Sequence, residues 1–226
     1  MLGKILARVR PTAFGEGGSR PDVSTATVFG WYARKGLGPA LRGVLWLPRF
    51  GKAELPVFVG SRVSISYARR VRIGRSSSIG SGSRILAFSR SGISIGTRVT
   101  IREGAWIQCS SSPWNPGEGL IIGDDTYIGP GSILGVGGLV TIGARCQIGS
   151  SFTVVAENHA ISDSGTSSTE VVRSGITVGD GCWIGHRVTI LDGVELGENC
   201  VVGAGAVVTK SFPAGSKIAG VPARAI

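Results

Sequence analysis

Apolar and small residues recur along this chain on a six-residue beat. From Ile122 it reads Ile-Gly-Asp-Asp-Thr-Tyr, then Ile128-Gly-Pro-Gly-Ser-Ile and Leu134-Gly-Val-Gly-Gly-Leu. After a slip of two residues it resumes at Ile142 and Ile148, and again at Val178, Ile184, Leu196 and Val202. An aliphatic residue opens each unit, Gly usually follows, and a small or β-branched residue stands fifth. That period marks a parallel β-helix. Each unit supplies one short strand and one tight corner. The first-place aliphatics point inward and stack on those of the next turn, about 4.8 Å away. The glycines and the Asp and Asn residues suit corners whose backbone needs positive φ.

Weaker repeats open at Ile73, Ile79, Ile95 and Ile101, so the β-helix domain is expected over residues 59–209. Two stretches do not scan and are expected as loops, at 110–119 and 160–175. Insertions in a solenoid project from one face, which is often the binding face. Residues 1–58 form a basic N-terminal segment, and 210–226 a C-terminal tail. Residues 31–50 mix aromatics, leucines and Arg/Lys, as an interfacial membrane-surface segment would. Gly36, Gly38, Pro39 and Gly43 argue against a continuous helix there, and the alternative is a cap over the first coil.

Composition narrows the reading. A chain of 226 residues is ample for one core, and no apolar run reaches the roughly 20 residues of a membrane span. No secretory signal is expected from Met1–Arg10, which is short and interrupted by charge. Cys146, Cys182 and Cys200 stand at the fifth hexad place and read as small core residues. Without a Cys-x-x-Cys, no metal site is expected, and a reduced, cytoplasmic setting is the simplest one. The net charge of +10 is uneven: residues 1–100 carry 17 basic and 3 acidic groups (+14), and residues 101–226 carry 7 and 11 (−4). The first half therefore asks for an anionic partner. Nucleic acid is disfavoured, because no binding module is present and the aromatics do not interleave with the arginines.

The chain has two histidines. His159 stands where the coil gives way to the second insertion. A partly exposed imidazole there can act as a general base toward a sugar hydroxyl; it also reads as a plain surface histidine at a loop start.

The hexads, the histidine before a loop, Gly-Cys-Trp-Ile-Gly at 181–185, Val-Gly-Ala-Gly-Ala-Val-Val-Thr-Lys at 202–210 and Ala-Gly-Val-Pro-Ala-Arg at 219–224 resemble the hexapeptide-repeat acyltransferases, in particular their sugar and polysaccharide O-acetyltransferase branch. The resemblance covers the chain closely from Ile122 onward. It implies an all-β, left-handed parallel β-helix with three hexads per triangular turn, assembled as a homotrimer with active sites between coils. It implies acetyl-CoA as donor and His159 as the base for direct attack on the thioester, without an acyl-enzyme. It places Gly185, His186 and Ala204 along the pantetheine arm, Thr209 and Lys210 near the pyrophosphate or adenosine end, and Arg224 near the phosphates.

The basic start of the chain differs from the acidic helical segment of the small-sugar enzymes, and Ile161, Ser162 and Asp163 stand where many carry a further His. Both differences point to a larger or anionic acceptor, such as a lipid-linked saccharide, and to peripheral membrane contact through residues 1–58. Trp106 and Trp114, near the first insertion, are candidates to stack on a sugar ring. N-acetylation of an amino sugar and a non-catalytic solenoid scaffold are the alternatives. A gamma-class carbonic anhydrase would need three histidines on one metal.

Overall fold

The computed structural model describes residues 24–110, 112–161 and 167–226, and only the backbone of 25, 26, 28–35, 159–161 and 167–170. It contains two units, residues 1–35 and 36–226. Helix α1 (Thr25–Trp46) begins in the first, where Ser24 caps it by accepting a hydrogen bond from the Thr27 amide at 3.2 Å.

The second unit is a left-handed parallel β-helix. Its strands, two to four residues long, stack into three faces. The first face runs from Lys52–Ala53 to Glu195–Leu196, the second from Val57–Val59 to Lys217–Ala219, and the third from Ser64–Ser66 to Val207–Val208. Such short strands have little room to develop the twist on which the right-handed crossover preference rests. Where nothing is inserted, a turn takes eighteen residues, as Val178 pairs with Leu196 and Ile184 with Val202. The strand Arg224–Ala225 ends the second face antiparallel to Lys217–Ala219.

First-place aliphatics build the core in columns. Ile122, Ile142, Val178 and Leu196 are buried on the first face, and Ile128, Ile148, Ile184 and Val202 on the second. Each such burial contributes roughly 1.5–3 kcal/mol. The fifth-place cysteines lie in the same interior: Cys146, Cys182 and Cys200 are fully buried, as is Cys109.

Two local expectations need correcting. Positive φ does not fall on the second-place glycines. It falls on the fourth place, at Asp125, Arg145, Ser151, Arg187 and Asn199 and at Gly131, Gly181 and Gly205. The second-place glycines answer to packing instead. A Cβ on Gly129 would lie 2.5 Å from the Gly149 carbonyl carbon, and one on Gly185 would lie 2.6 Å from the Ala204 amide. The segment with Gly36, Gly38, Pro39 and Gly43 is helical, within α1. Gly43 lets that helix approach the coil, since a Cβ there would collide with the Val57 carbonyl oxygen. Pro39 costs the helix one backbone hydrogen bond without ending it.

Candidate active site

Both insertions leave the coil at the corner between the third face and the first. Residues 109–118 join the strand Trp106–Gln108 to Gly119–Ile122, and residues 156–175 join Thr153–Val155 to Ile176–Val178. The second insertion is an antiparallel hairpin of Asn158–Ile161 with Ser167–Val172, in which His159 pairs with Val171. The backbone of His159 thus opens the hairpin; its side chain lies outside the described residues. One turn, through Ile133–Gly135 and Leu139–Ile142, separates the two insertions.

An arginine ties them together. Arg173 donates to Glu157 Oε2 from Nε at 2.9 Å and from Nη2 at 2.7 Å, and from Nη1 to the Pro116 carbonyl at 3.0 Å. The pair is well covered, with side-chain exposures of 14% for Arg173 and 29% for Glu157. Gly137 gives it space, because a Cβ there would collide with the Glu157 carboxylate. This clamp was missed in the sequence. Its one signal was the slip at Gly137–Gly138, which falls at the same corner.

Against the clamp lies a groove of about 310 Å³, lined by Trp106, Gln108, Ser110, Gly135, Val155 and Glu157 among others. Trp106 is half exposed (51%) and lines it, whereas Trp114 (92% exposed) is not among its lining residues. Cys109 borders the groove, but burial pushes its thiol up to about 11. It stays protonated at neutral pH and supplies no nucleophile.

The other site residues fall on different edges. Gly185, His186 and Ala204 occupy the corner between the second and third faces, stacked one turn apart, with Gly185 buried and Ala204 exposed. His186 Nδ1 accepts the Ser150 amide at 3.0 Å and meets Ser150 Oγ at 2.8 Å. A ring nitrogen that accepts an N–H carries no proton, so Nε2–H is the neutral tautomer and its N–H is a donor. Thr209 and Lys210 are exposed at the corner of the hairpin, on the last turn, with Lys210 Nζ 5.5 Å from the Phe212 ring centroid. Arg224 lies in the closing antiparallel strand and donates to the Ala223 carbonyl at 2.9 Å. One coil therefore places His159, Thr209 and Lys210 along one edge of the third face, Gly185, His186 and Ala204 along the other, and Arg224 on the second face. Among the described residues, no group of three His, Cys, Asp or Glu could hold a metal ion.

The fold has known counterparts. Residues 175–210 match the family model for the bacterial transferase hexapeptide (six repeats). The galactoside O-acetyltransferase of Escherichia coli (strain K12) is 33% identical over 128 residues, 57% of this chain and 63% of that protein. A 2,3,4,5-tetrahydropyridine-2,6-dicarboxylate N-acetyltransferase of Staphylococcus aureus (strain JH9) is 43% identical over 53 residues, 24% of this chain and 22% of that one. These matches thus span less than two thirds of either relative. Among solved structures, the Bacillus cereus N-acyltransferase AntD, in complex with dTDP and coenzyme A, superposes with a TM-score of 0.55 at 19% identity, covering 81% of this chain and 86% of that one. The chain is thus similar to hexapeptide-repeat acyltransferases, in its repeat segment and in its fold.

Proposed function

We propose that this protein is an acetyl-CoA-dependent O-acetyltransferase acting on a saccharide hydroxyl in cell-surface polysaccharide or glycolipid assembly. The imidazole of His159 takes the hydroxyl proton as the oxygen attacks the thioester carbonyl. The tetrahedral intermediate then expels the coenzyme A thiolate, which takes that proton back from the imidazolium, leaving an acetyl ester and free coenzyme A. The observation that carries this assignment is the engagement of His186. Its Nδ1 lone pair is spent on the Ser150 amide and its Nε2 bears the proton, so it is a donor rather than a base. His159 is the remaining histidine of two.

In this reading Gly185, His186 and Ala204 line the pantetheine arm, with His186 Nε2–H donating to it. Thr209, Lys210 and Arg224 meet the phosphates, for which their charges and donors are suited. The similarity to a galactoside O-acetyltransferase supports a sugar acceptor, and Trp106 offers it a stacking face. The charge of the first half favours an anionic or lipid-linked one. The setting is cytoplasmic and the assembly a homotrimer.

Calorimetric titration with acetyl-CoA tests the donor site: micromolar binding is expected, weakened about tenfold in Lys210→Ala and in Arg224→Ala. With an accepted saccharide, His159→Ala lowers turnover about 10³-fold while donor binding persists, and His186→Ala mainly raises KM for acetyl-CoA. Absence of donor binding by the folded protein overturns the proposal, as does a His159→Ala variant that still turns over. An alkali-stable amide product would instead assign N-acetylation.

A further inference from the structure

The end at which the chain enters the coil carries a surface that holds none of the residues assigned to acetyl transfer. From Gly36 onward, helix α1 turns Arg42, Gly43 and Trp46 toward the coil: Arg42 Nε donates to the Val59 carbonyl at 2.9 Å, and Trp46 packs on the core. The opposite side holds Leu37 (66% exposed), Leu41 (68%), Val44 (52%) and Leu45 (67%). Their spacing of four, then three, then one puts them on a single stripe pointing away from the protein.

Where the stripe ends, an open cavity of about 530 Å³ begins, lined by Trp46, Arg49, Ile65, Tyr67, Arg69 and Arg70 among others. Arg49 donates to the Leu45 carbonyl and stands 5.1 Å from the Trp46 ring centroid, which joins stripe and cavity. Arg70 donates to the Ser89 and Arg90 carbonyls. None of these three arginines takes part in the ion pairs found among the described residues. No Asp or Glu occurs from Gly36 to Lys52, and exposed Arg62, Arg72, Arg75 and Arg84 continue the positive field over the first turns.

Such a ridge calls for a partner, and the charge beside it selects the kind. Phospholipid phosphates accept the guanidinium donors in bidentate fashion, while the acyl boundary receives aliphatic side chains of a helix lying in the interface. No helix among the described residues is long and apolar enough to cross a membrane. We propose that this end of the molecule is a docking surface for an anionic phospholipid bilayer. Head-group phosphates enter the cavity of Arg49, Arg69 and Arg70, and Leu37, Leu41, Val44 and Leu45 sink to the acyl boundary. The inference does not rest on the transferase reading, and its test involves neither donor nor acceptor.

The full-length protein is sedimented with vesicles of phosphatidylcholine alone, and with vesicles containing about one third phosphatidylglycerol. Binding is expected to the anionic vesicles only, with release in about 0.5 M NaCl, where the Debye length shrinks to about 4 Å. Two variants keep folding out of the question, since the residues are exposed and Gln retains helix propensity. Leu37→Gln/Leu41→Gln/Leu45→Gln and Arg49→Gln/Arg69→Gln should each weaken vesicle binding about tenfold or more, with unchanged circular dichroism and unchanged mass by light scattering. No binding to anionic vesicles overturns the proposal, and so does full binding by either variant. A change of oligomeric mass in the leucine variant would make the stripe a contact between copies. Equal competition by millimolar inorganic phosphate would reduce the cavity to a small-anion site.

Discussion

Two glycine-bearing places in each hexad do different work. The second place lies where neighbouring turns touch, so Gly129→Ala forces a methyl group against the Gly149 backbone. It should lower stability by about 1–3 kcal/mol, the usual cost of overpacking. The fourth place needs left-handed backbone, which Arg187 adopts at φ 58°. Arg187→Gly should therefore stabilise by up to about 1 kcal/mol, strain relief outweighing the entropy of glycine. Urea unfolding of both variants checks the contrast, and similar effects at the two places would refute it. The hexads were legible because every turn repeats one core requirement, as Ile128, Ile148 and Ile184 show. The division of labour among the glycines was not legible, because contact and conformation select the same residue.

At the level of elements, the two insertions stand as one body. Arg173 holds Glu157 at the root of the hairpin and Pro116 in the other insertion. Arg173→Ala leaves the largely covered Glu157 without that partner, at a cost of about 1–3 kcal/mol, below the fully buried range because the carboxylate keeps some exposure. Hydrogen exchange should quicken in both insertions and stay unchanged from Val188 to Val208; a change confined to one insertion would break the coupling. Turnover should fall with it, because the residue before the clamped pair of strands opens the chain toward His159. The boundary at His159 could be read directly, since the hexads stop there. Arg173 and helix α1 could not. Neither belongs to a hexad, and in α1 three glycines and a proline mask the helical spacing of its leucines; their roles depend on which corner the chain leaves and on how closely Gly43 lets a helix approach.

For the whole molecule, the central question is where the two halves of the proposed site meet. The corner of His159 and the corner of His186 and Ala204 bound opposite edges of the third face, one strand of about 10 Å apart. In the proposed trimer each site would take one edge from each of two coils. Co-refolding equal amounts of His159→Ala and Ala204→Trp, each inactive alone, should then restore about a quarter of wild-type activity, the share of random pairings with both halves intact. No recovery would put both halves on one chain. Sequence could not decide this, because every hexad looks alike whichever coil it faces.

The closures of the two ends bear on colloidal behaviour. A stack of flat parallel strands is a short length of cross-β fibre, and an open end would template another molecule as readily as another turn. At one end Arg42 and Gly43 lie over the carbonyl groups of Val57 and Val59. At the other, the strand Arg224–Ala225 reverses direction against Ile218 and Ala219, offering the wrong polarity for a further parallel turn. The residue assigned to the donor phosphates thus also sits on a growth stop. In the proposed site, Arg224 would then serve twice, holding the donor phosphates and closing the stack against a further molecule.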